Sequence, residues 1–349
     1  IRTSETSGYY VDVFRSVSNT SNNFHDYLFH GLGDVLQIKT EGNTLNLVDT
    51  PSRYQNDAGD ERKQPGWRWF SDAKTSALTN NAITARFDLQ ATNDYLHVSV
   101  PGGIEKEYTS ALAPPTQEVT NGYDKKDTQV FVIRKYGEAW DEPFVAVYEP
   151  SSSEESTIKT TSYIYDNEKV VGLKVVSEVN GQQIVDYILA NDTERTINLT
   201  DVAISFTGSF AIVRSIVKNN KTEVSLYLGQ GTELSFLDVT ITGDSDGKAY
   251  REYTLDFEVL STQDQQKKTK KRIYGYPNPS NGFFNINNIP KTVKNLQVAI
   301  YNVEGRLITT KKYFDLSGAL TIDISDEKKG VYFVKLYLEG PIYVKLIKR

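Results

Sequence analysis

Apolar and polar residues alternate with a period of two along most of the chain, and the helical period of 3.6 is almost absent. The alternation predicts strands over residues 9–15, 24–29, 45–48, 82–89, 95–100, 129–135, 144–148, 160–165, 170–176, 182–189, 202–206, 209–217, 222–228, 232–236 and 252–259. Asn180-Gly181 and Asn219-Asn220 stand between such runs, and Asn and Gly tolerate the positive φ of tight hairpin turns. Short strands at this spacing imply a large antiparallel β-sandwich. A second set, at 283–286, 296–301, 307–313, 320–324, 331–338 and 342–347, implies a small immunoglobulin-like β-sandwich. The expected fold is therefore all-β, with a body at 1–262 and a tail at 274–349. Between them, residues 263–272 hold five basic residues and no apolar one, so the segment at 263–273 reads as a basic flexible linker.

Composition narrows the picture. At 349 residues, with 38% apolar content, 22 Tyr and 15 Phe, the chain is long enough for two domains that each bury a core. It has no Cys, which excludes a disulfide framework and thiolate chemistry. No apolar run approaches the ~18 residues that a membrane-spanning helix needs. The sequence starts at Ile1 and has no Met, so it is read as a piece of a longer precursor whose catalytic residues lie upstream. Residues 1–262 carry a net charge of −15 and residues 263–349 one of +9. Such asymmetry marks modules with different tasks, and the acidic body argues against nucleic-acid binding.

The tail carries a specific pattern. Tyr274-Gly275-Tyr276-Pro277-Asn278-Pro279-Ser280-Asn281-Gly282 is followed by alternating strands, a turn ending at Gly305, the run Gly330-Val331-Tyr332-Phe333-Val334-Lys335, and the close Lys345-Leu346-Ile347-Lys348-Arg349. Over its whole length this resembles the C-terminal sorting domain of Bacteroidetes proteins exported by the type IX secretion system. The resemblance implies passage through the periplasm to the surface or medium, and binding of outer-membrane secretion components through residues 274–349. The positions expected to carry that signal are Pro277, Asn278, Pro279, Gly282, Gly305, Gly330 and Lys345. Gly305 and Gly330 read as hairpin turns.

Three segments of the body resemble the C-terminal β-sandwich of heparinase II/III-type polysaccharide lyases. They are Tyr10–Arg15 with His25-Asp26-Tyr27-Leu28-Phe29-His30-Gly31, the Trp67–Phe70 stretch leading on to Ala113-Pro114-Pro115, and Gln129–Arg134 with Phe144–Pro150. The resemblance implies β-elimination on an acidic, uronate-containing polysaccharide held between a helical toroid and the sandwich. In that family Tyr and His move the protons. It also implies a His-x-His-x-Asp stretch for a structural metal. This chain has three His and no such stretch, so the toroid, the catalytic centre and any structural metal are expected upstream, with no cofactor in this part. The other reading is a non-catalytic carbohydrate-binding or adhesive surface module carried by the same export route.

Within the body, the candidate glycan contacts are His25, Tyr27, His30, Trp67 and Arg68. On a strand, His25 and Tyr27 share one face, and Asp26, Leu28 and His30 share the other. Both histidines can equally serve to orient the strand, and a His/Asp metal site is disfavoured because its ligands would point to opposite faces. Trp67 and Trp69 flank Arg68. Aromatic faces stack on sugar rings and Arg grips carboxylate or sulfate in a fork, whereas strand alternation would send both indoles into a core. His97 reads as a half-exposed sheet residue, Gly229-Gln230-Gly231 as a hairpin turn, and the acid-rich 151–156 stretch as a solvated loop.

Overall fold

The computed structural model of the chain describes residues 1–18, 24–54, 66–117, 122–200, 202–218, 221–256, 273–303, 305–338 and 341–349. The Asn219-Asn220 turn and the basic segment at 263–272 lie outside the described residues. The fold is all-β; among the described residues the one helical element is a 3-10 turn at Gly66–Trp69. The chain divides into two compact units, Ile1–Ala190 and Asn191–Arg349.

The first unit contains β1 (Tyr10–Ser16), β2 (Phe24–Gly31), β3 (Val35–Thr40), β4 (Asn43–Thr44), β5 (Val48–Asp49), β6 (Ser71–Thr75), β7 (Ile83–Leu89), β8 (Asp94–Val100), β9 (Glu107–Ala113), β10 (Thr128–Tyr136), β11 (Ala139–Ser151), β12 (Ile158–Asp166), β13 (Lys169–Val179) and the start of β14 (Gln182–Leu199). A six-stranded sheet, β1-β11-β8-β7-β3-β4, faces a five-stranded sheet, β2-β10-β9-β6-β5. One core joins them: Phe87, Val98 and Phe144 of the first sheet pack with Tyr108, Phe131 and Ile133 of the second. Alternation along each strand sends every second side chain into this core, which explains why the strand pattern was legible. The strands β3, β6 and β9 carried too weak an alternation to be predicted. β6 (Ser-Asp-Ala-Lys-Thr) holds a single aliphatic residue, Ala73, and is drawn into the sheet by pairing with β9. The Asn180-Gly181 turn between β13 and β14 does have positive φ at both residues, 53° and 72°.

A lysine is sealed into the first unit. Lys106 is 0% exposed, and its Nζ meets only the carbonyls of Pro101 and Ile104, at 3.4 and 3.2 Å, and the Tyr163 ring, 5.2 Å from its centroid. Burial, with the nearby Lys135 charge adding to it, brings the Lys106 pKa down to about 7. Between that value and the ~10.4 of an unfolded lysine, the unfolded chain binds the extra proton. The stability contribution is therefore complete above the unfolded value and is lost as pH falls toward 7. Urea midpoints should rise with pH above 7, by up to ~1.4 kcal/mol per unit from this group; Lys106→Met should remove that part of the slope.

The second unit continues β14 and adds β15 (Ile204–Lys218), β16 (Lys221–Phe236), β17 (Val239–Thr242), β18 (Ala249–Asp256) and the tail strands β19 (Tyr274–Tyr276), β20 (Phe283–Asn287), β21 (Leu296–Asn302), β22 (Leu307–Tyr313), β23 (Ala319–Asp323), β24 (Gly330–Tyr337) and β25 (Pro341–Lys348). Two pairs of predicted strands are in fact single long ones. Residues 202–206 and 209–217 fall together in β15, and 222–228 and 232–236 in β16. Gly229-Gln230-Gly231 is thus not a turn but the middle of β16, at a bulge opposite Gly208. A Cβ on Gly231 would stand 2.4 Å from the Thr207 carbonyl oxygen, so glycine here admits a close backbone approach. The tail folds as a three-stranded sheet, β19-β20-β23, over a four-stranded one, β22-β21-β24-β25, around Phe284, Ile286, Ile322, Val334, Leu336 and Leu346.

Candidate functional site

Strand β2 sorts the sequence-predicted residues. It pairs with β10 in the register Phe24↔Tyr136, Asp26↔Arg134, Leu28↔Val132 and His30↔Val130. Tyr27 and Phe29 pack on the core, so the alternation places His25 and Tyr27 on the inner face and Phe24, Asp26, Leu28 and His30 on the outer one.

The outer face is built around guanidinium–carboxylate pairs. Arg134 Nε and Nη2 donate to Asp26 Oδ1 and Oδ2 at 2.7 and 2.6 Å, with side chains only 11% and 25% exposed. On its other side Arg134 stands in register with Glu107, which is paired to Arg53. The Phe24 ring caps the Arg134 guanidinium, with 3.5 Å from the carbon to the ring centroid, and the Tyr136 ring meets Phe24 edge-on at 6.2 Å. Further along the same face Tyr54 and Phe70 cover Ala73, Ala111, Ala113, Val130 and Val132. A hydroxyl chain, Thr50 to Thr75 at 2.8 Å and Thr75 to Thr109 at 3.0 Å, ties that cover to the sheet.

Phe70 anchors the Gly66–Trp69 turn onto this face through its contact with Tyr54, 5.6 Å between centroids. The turn reverses the expectation that both indoles enter a core. A 3-10 turn does not alternate, and Phe70 takes the buried place instead. Trp67 is 44% and Trp69 66% exposed. Between them, Arg68 Nη1 is shielded from solvent and has no hydrogen-bond partner among the described residues. His30 lies on the same face with its Nε2 on the Thr128 hydroxyl; burial lowers its pKa, so the ring is neutral at pH 7.

His25 and Tyr27 lie instead at the margin where the inner faces of β1 and β2 open. His25 Nδ1 is 2.8 Å from the Ser16 hydroxyl. The Tyr27 hydroxyl donates to Asp12 Oδ2 at 2.7 Å and stands 2.7 Å from the Tyr148 hydroxyl, while its ring stacks on Phe144. Burial, then the bonds to Tyr148 and Asp12, push the Tyr27 phenol far above its usual range. Burial likewise pushes Tyr148 up to about 12. Both phenols stay protonated at neutral pH, so this margin can donate hydrogen bonds but cannot take a proton from a sugar carbon. His97 is buried, not half-exposed, because its Nε2 donates to the Ser153 carbonyl at 2.9 Å. Among the described residues no group of three or more His, Cys, Asp and Glu is placed to hold a metal.

The structure thus gathers His30, Trp67 and Arg68 on one side of the five-stranded sheet and sends His25 and Tyr27 to the other. Sequence reasoning missed Asp26–Arg134 and Glu107–Arg53. Arg134 and Asp26 are 108 positions apart and meet only through strand register.

In the tail, Asn278 is the best-anchored of the expected signal residues. Its Nδ2 donates to the Lys345 carbonyl at 2.7 Å and its Oδ1 accepts from the Ile347 amide at 2.8 Å, which staples the Pro277-Asn278-Pro279 segment to β25. Gly282 has φ +117°, and a Cβ there would stand 2.6 Å from Ser325 Cα. Gly305 has φ +78° in the Asn302–Arg306 turn. Gly330 is not in a turn: it opens β24 opposite Lys348. Lys345 lies on β25, and burial lowers its pKa. Asn278→Ala should cost the tail about 2 kcal/mol and speed amide exchange at Ile347, whereas Asn278→Asp keeps the acceptor and should protect that amide.

Comparison with known proteins supplies the context. Residues 158–253 match the family described as the endo-acting ulvan lyase C-terminal domain, and residues 275–348 match the secretion system C-terminal sorting domain. An endo-acting ulvan lyase of Formosa agariphila is 41% identical over 252 residues, 72% of this chain and 31% of that enzyme, so the chain spans under a third of the relative's length. No solved structure matches the chain. The chain carries a segment of the ulvan lyase C-terminal family followed by a type IX sorting domain, which marks a protein secreted or held at the cell surface.

Proposed function

We propose that this chain is the β-rich part of a secreted lyase that cleaves a uronate-containing glycan of the ulvan class by β-elimination. Its task there is to bind the polymer, and the proton-transfer groups belong to another part of the full-length protein. The observation that carries this reading is the 252-residue likeness to an ulvan lyase. The side chains support the division of labour: exposed indoles beside Arg68 suit an anionic sugar ring, and the Tyr27–Tyr148 pair supplies no base. In finer detail, the arrangement is that of heparinase II/III-type lyases. A helical toroid upstream forms the opposite wall, any structural metal is held there, and outer-membrane secretion components engage residues 274–349.

The full-length protein incubated with ulvan should develop the ultraviolet absorbance of an unsaturated uronate, and this chain alone should not. Absence of that signal with ulvan, alginate, heparin and chondroitin sulfate would count against the lyase reading. Glycan retention without double-bond formation by the full-length protein would favour a binding or adhesive module, a reading to which the raised phenol pKa values also give support.

A further inference from the structure

One face of the tail's four-stranded sheet enters the tail's own core through Val334, Leu336 and Val344. Alternation places Tyr301, Phe333, Lys335, Tyr337 and Tyr343 on the opposite face, with Lys335 in register between Ala299 and Tyr343. Left open to water, such a face would be a basic, aromatic patch of the kind that marks an interaction surface. It is covered instead. Lys335 is 7% exposed, its Nζ lies 2.5 Å from Asp238 Oδ1, and the rings of Tyr337 and Tyr343 flank it at 4.8 and 5.7 Å. The Tyr343 hydroxyl donates to Asp238 Oδ2, so one carboxylate receives both groups.

Asp238 stands on the tight turn between β16 and β17, where Phe236 pairs with Val239 and Leu237 takes φ +55°. The Leu237 amide is fixed on the Ala203 carbonyl at 2.9 Å, which aims the carboxylate. Phe236 is 4% exposed and lies beneath the Gly305 turn of the tail, where an added Cβ would be 3.7 Å from its ring. A space of only ≈ 40 Å³ remains where Phe236, Leu237 and Ser215 meet Tyr301, Phe333 and Tyr343.

We propose that the Tyr301/Phe333/Lys335/Tyr343 face is the docking surface by which the sorting domain is held on the chain's own β16–β17 turn, with Asp238 as the latch. A buried ammonium is tolerable only while a carboxylate faces it, so losing the Asp238 contact frees the whole face. Docking then keeps this surface covered while the free edge of β25 stays open, and undocking decides when the surface becomes available to a partner.

The protein has no cysteine, which permits a direct test on the full chain. Ser215→Cys places one thiol at the contact, at a side chain 6% exposed, and its labelling rate with a water-soluble maleimide reports opening. Asp238→Asn and Lys335→Met should each raise that rate at least about tenfold, the measure of one charged hydrogen bond. The double variant should label no faster than the faster single one, since both act through one contact. A thiol at Ser177, 0% exposed in the first unit, should be unaffected. An unchanged rate in Asp238→Asn, multiplied effects in the double variant, or an equal rise at Ser177 would overturn the proposal.

Discussion

Replacing both Trp67 and Trp69 by Ala should weaken binding of ulvan oligosaccharides by about 50-fold. Each indole lies open on the Gly66–Trp69 turn and offers a face for ring stacking, worth ~0.5–1.5 kcal/mol beyond the apolar area it covers. Titration calorimetry of this chain with sized ulvan fragments reads the affinity directly. Melting temperature should hardly move, because surface side chains away from special features change stability by within ~0.5 kcal/mol. Arg68→Ala should add a loss that shrinks as salt rises. A double variant that binds within twofold of the parent would remove this turn from the glycan surface.

Gly172→Ala should destabilise the first unit by about 3 kcal/mol, the upper end for overpacking a well-filled site, and lower its melting temperature by roughly 10 °C. Gly172 lies on β13 opposite Leu189 of β14, and an added Cβ would stand 2.2 Å from the Ile188 carbonyl oxygen and 3.1 Å from Leu189 Cα. The obstacle is backbone, so it cannot turn aside as a side chain would. Gly66→Ala supplies the contrast. Nothing lies within 4 Å of its Cβ, and its φ is not in the left-handed region. Its melting temperature should stay near that of the parent. Equal behaviour of the two variants would show that the β13–β14 approach is not as close as described.

The residues that could be read in advance were those whose role is local. Tyr27 and His25 on one face of β2 and His30 on the other follow from alternation alone, and the Asn180-Gly181 turn follows from the two residue types that accept positive φ. The tail strands were legible for the same reason: a half-buried strand must alternate, and Pro, Asn and Gly must sit where the chain turns. Trp67 and Trp69 were misjudged because alternation holds only on a strand. Once the segment winds into a 3-10 turn, Phe70 becomes the buried anchor. The Gly229–Gly231 segment was misjudged because glycine signals both a turn and a close strand approach, and only the partner strand tells the two apart.

The sequence by itself determined the all-β architecture, the division of charge between body and tail, and the export signal, because each is written in residue type and near-neighbour spacing. Tertiary structure alone decided that Asp26 would meet Arg134, that Glu107 would meet Arg53, and that Lys335 would be buried on Asp238. Each of these pairs joins residues far apart along the chain. Strand register and sheet packing bring them together, and no local pattern of apolar and polar positions encodes which distant strand becomes a neighbour.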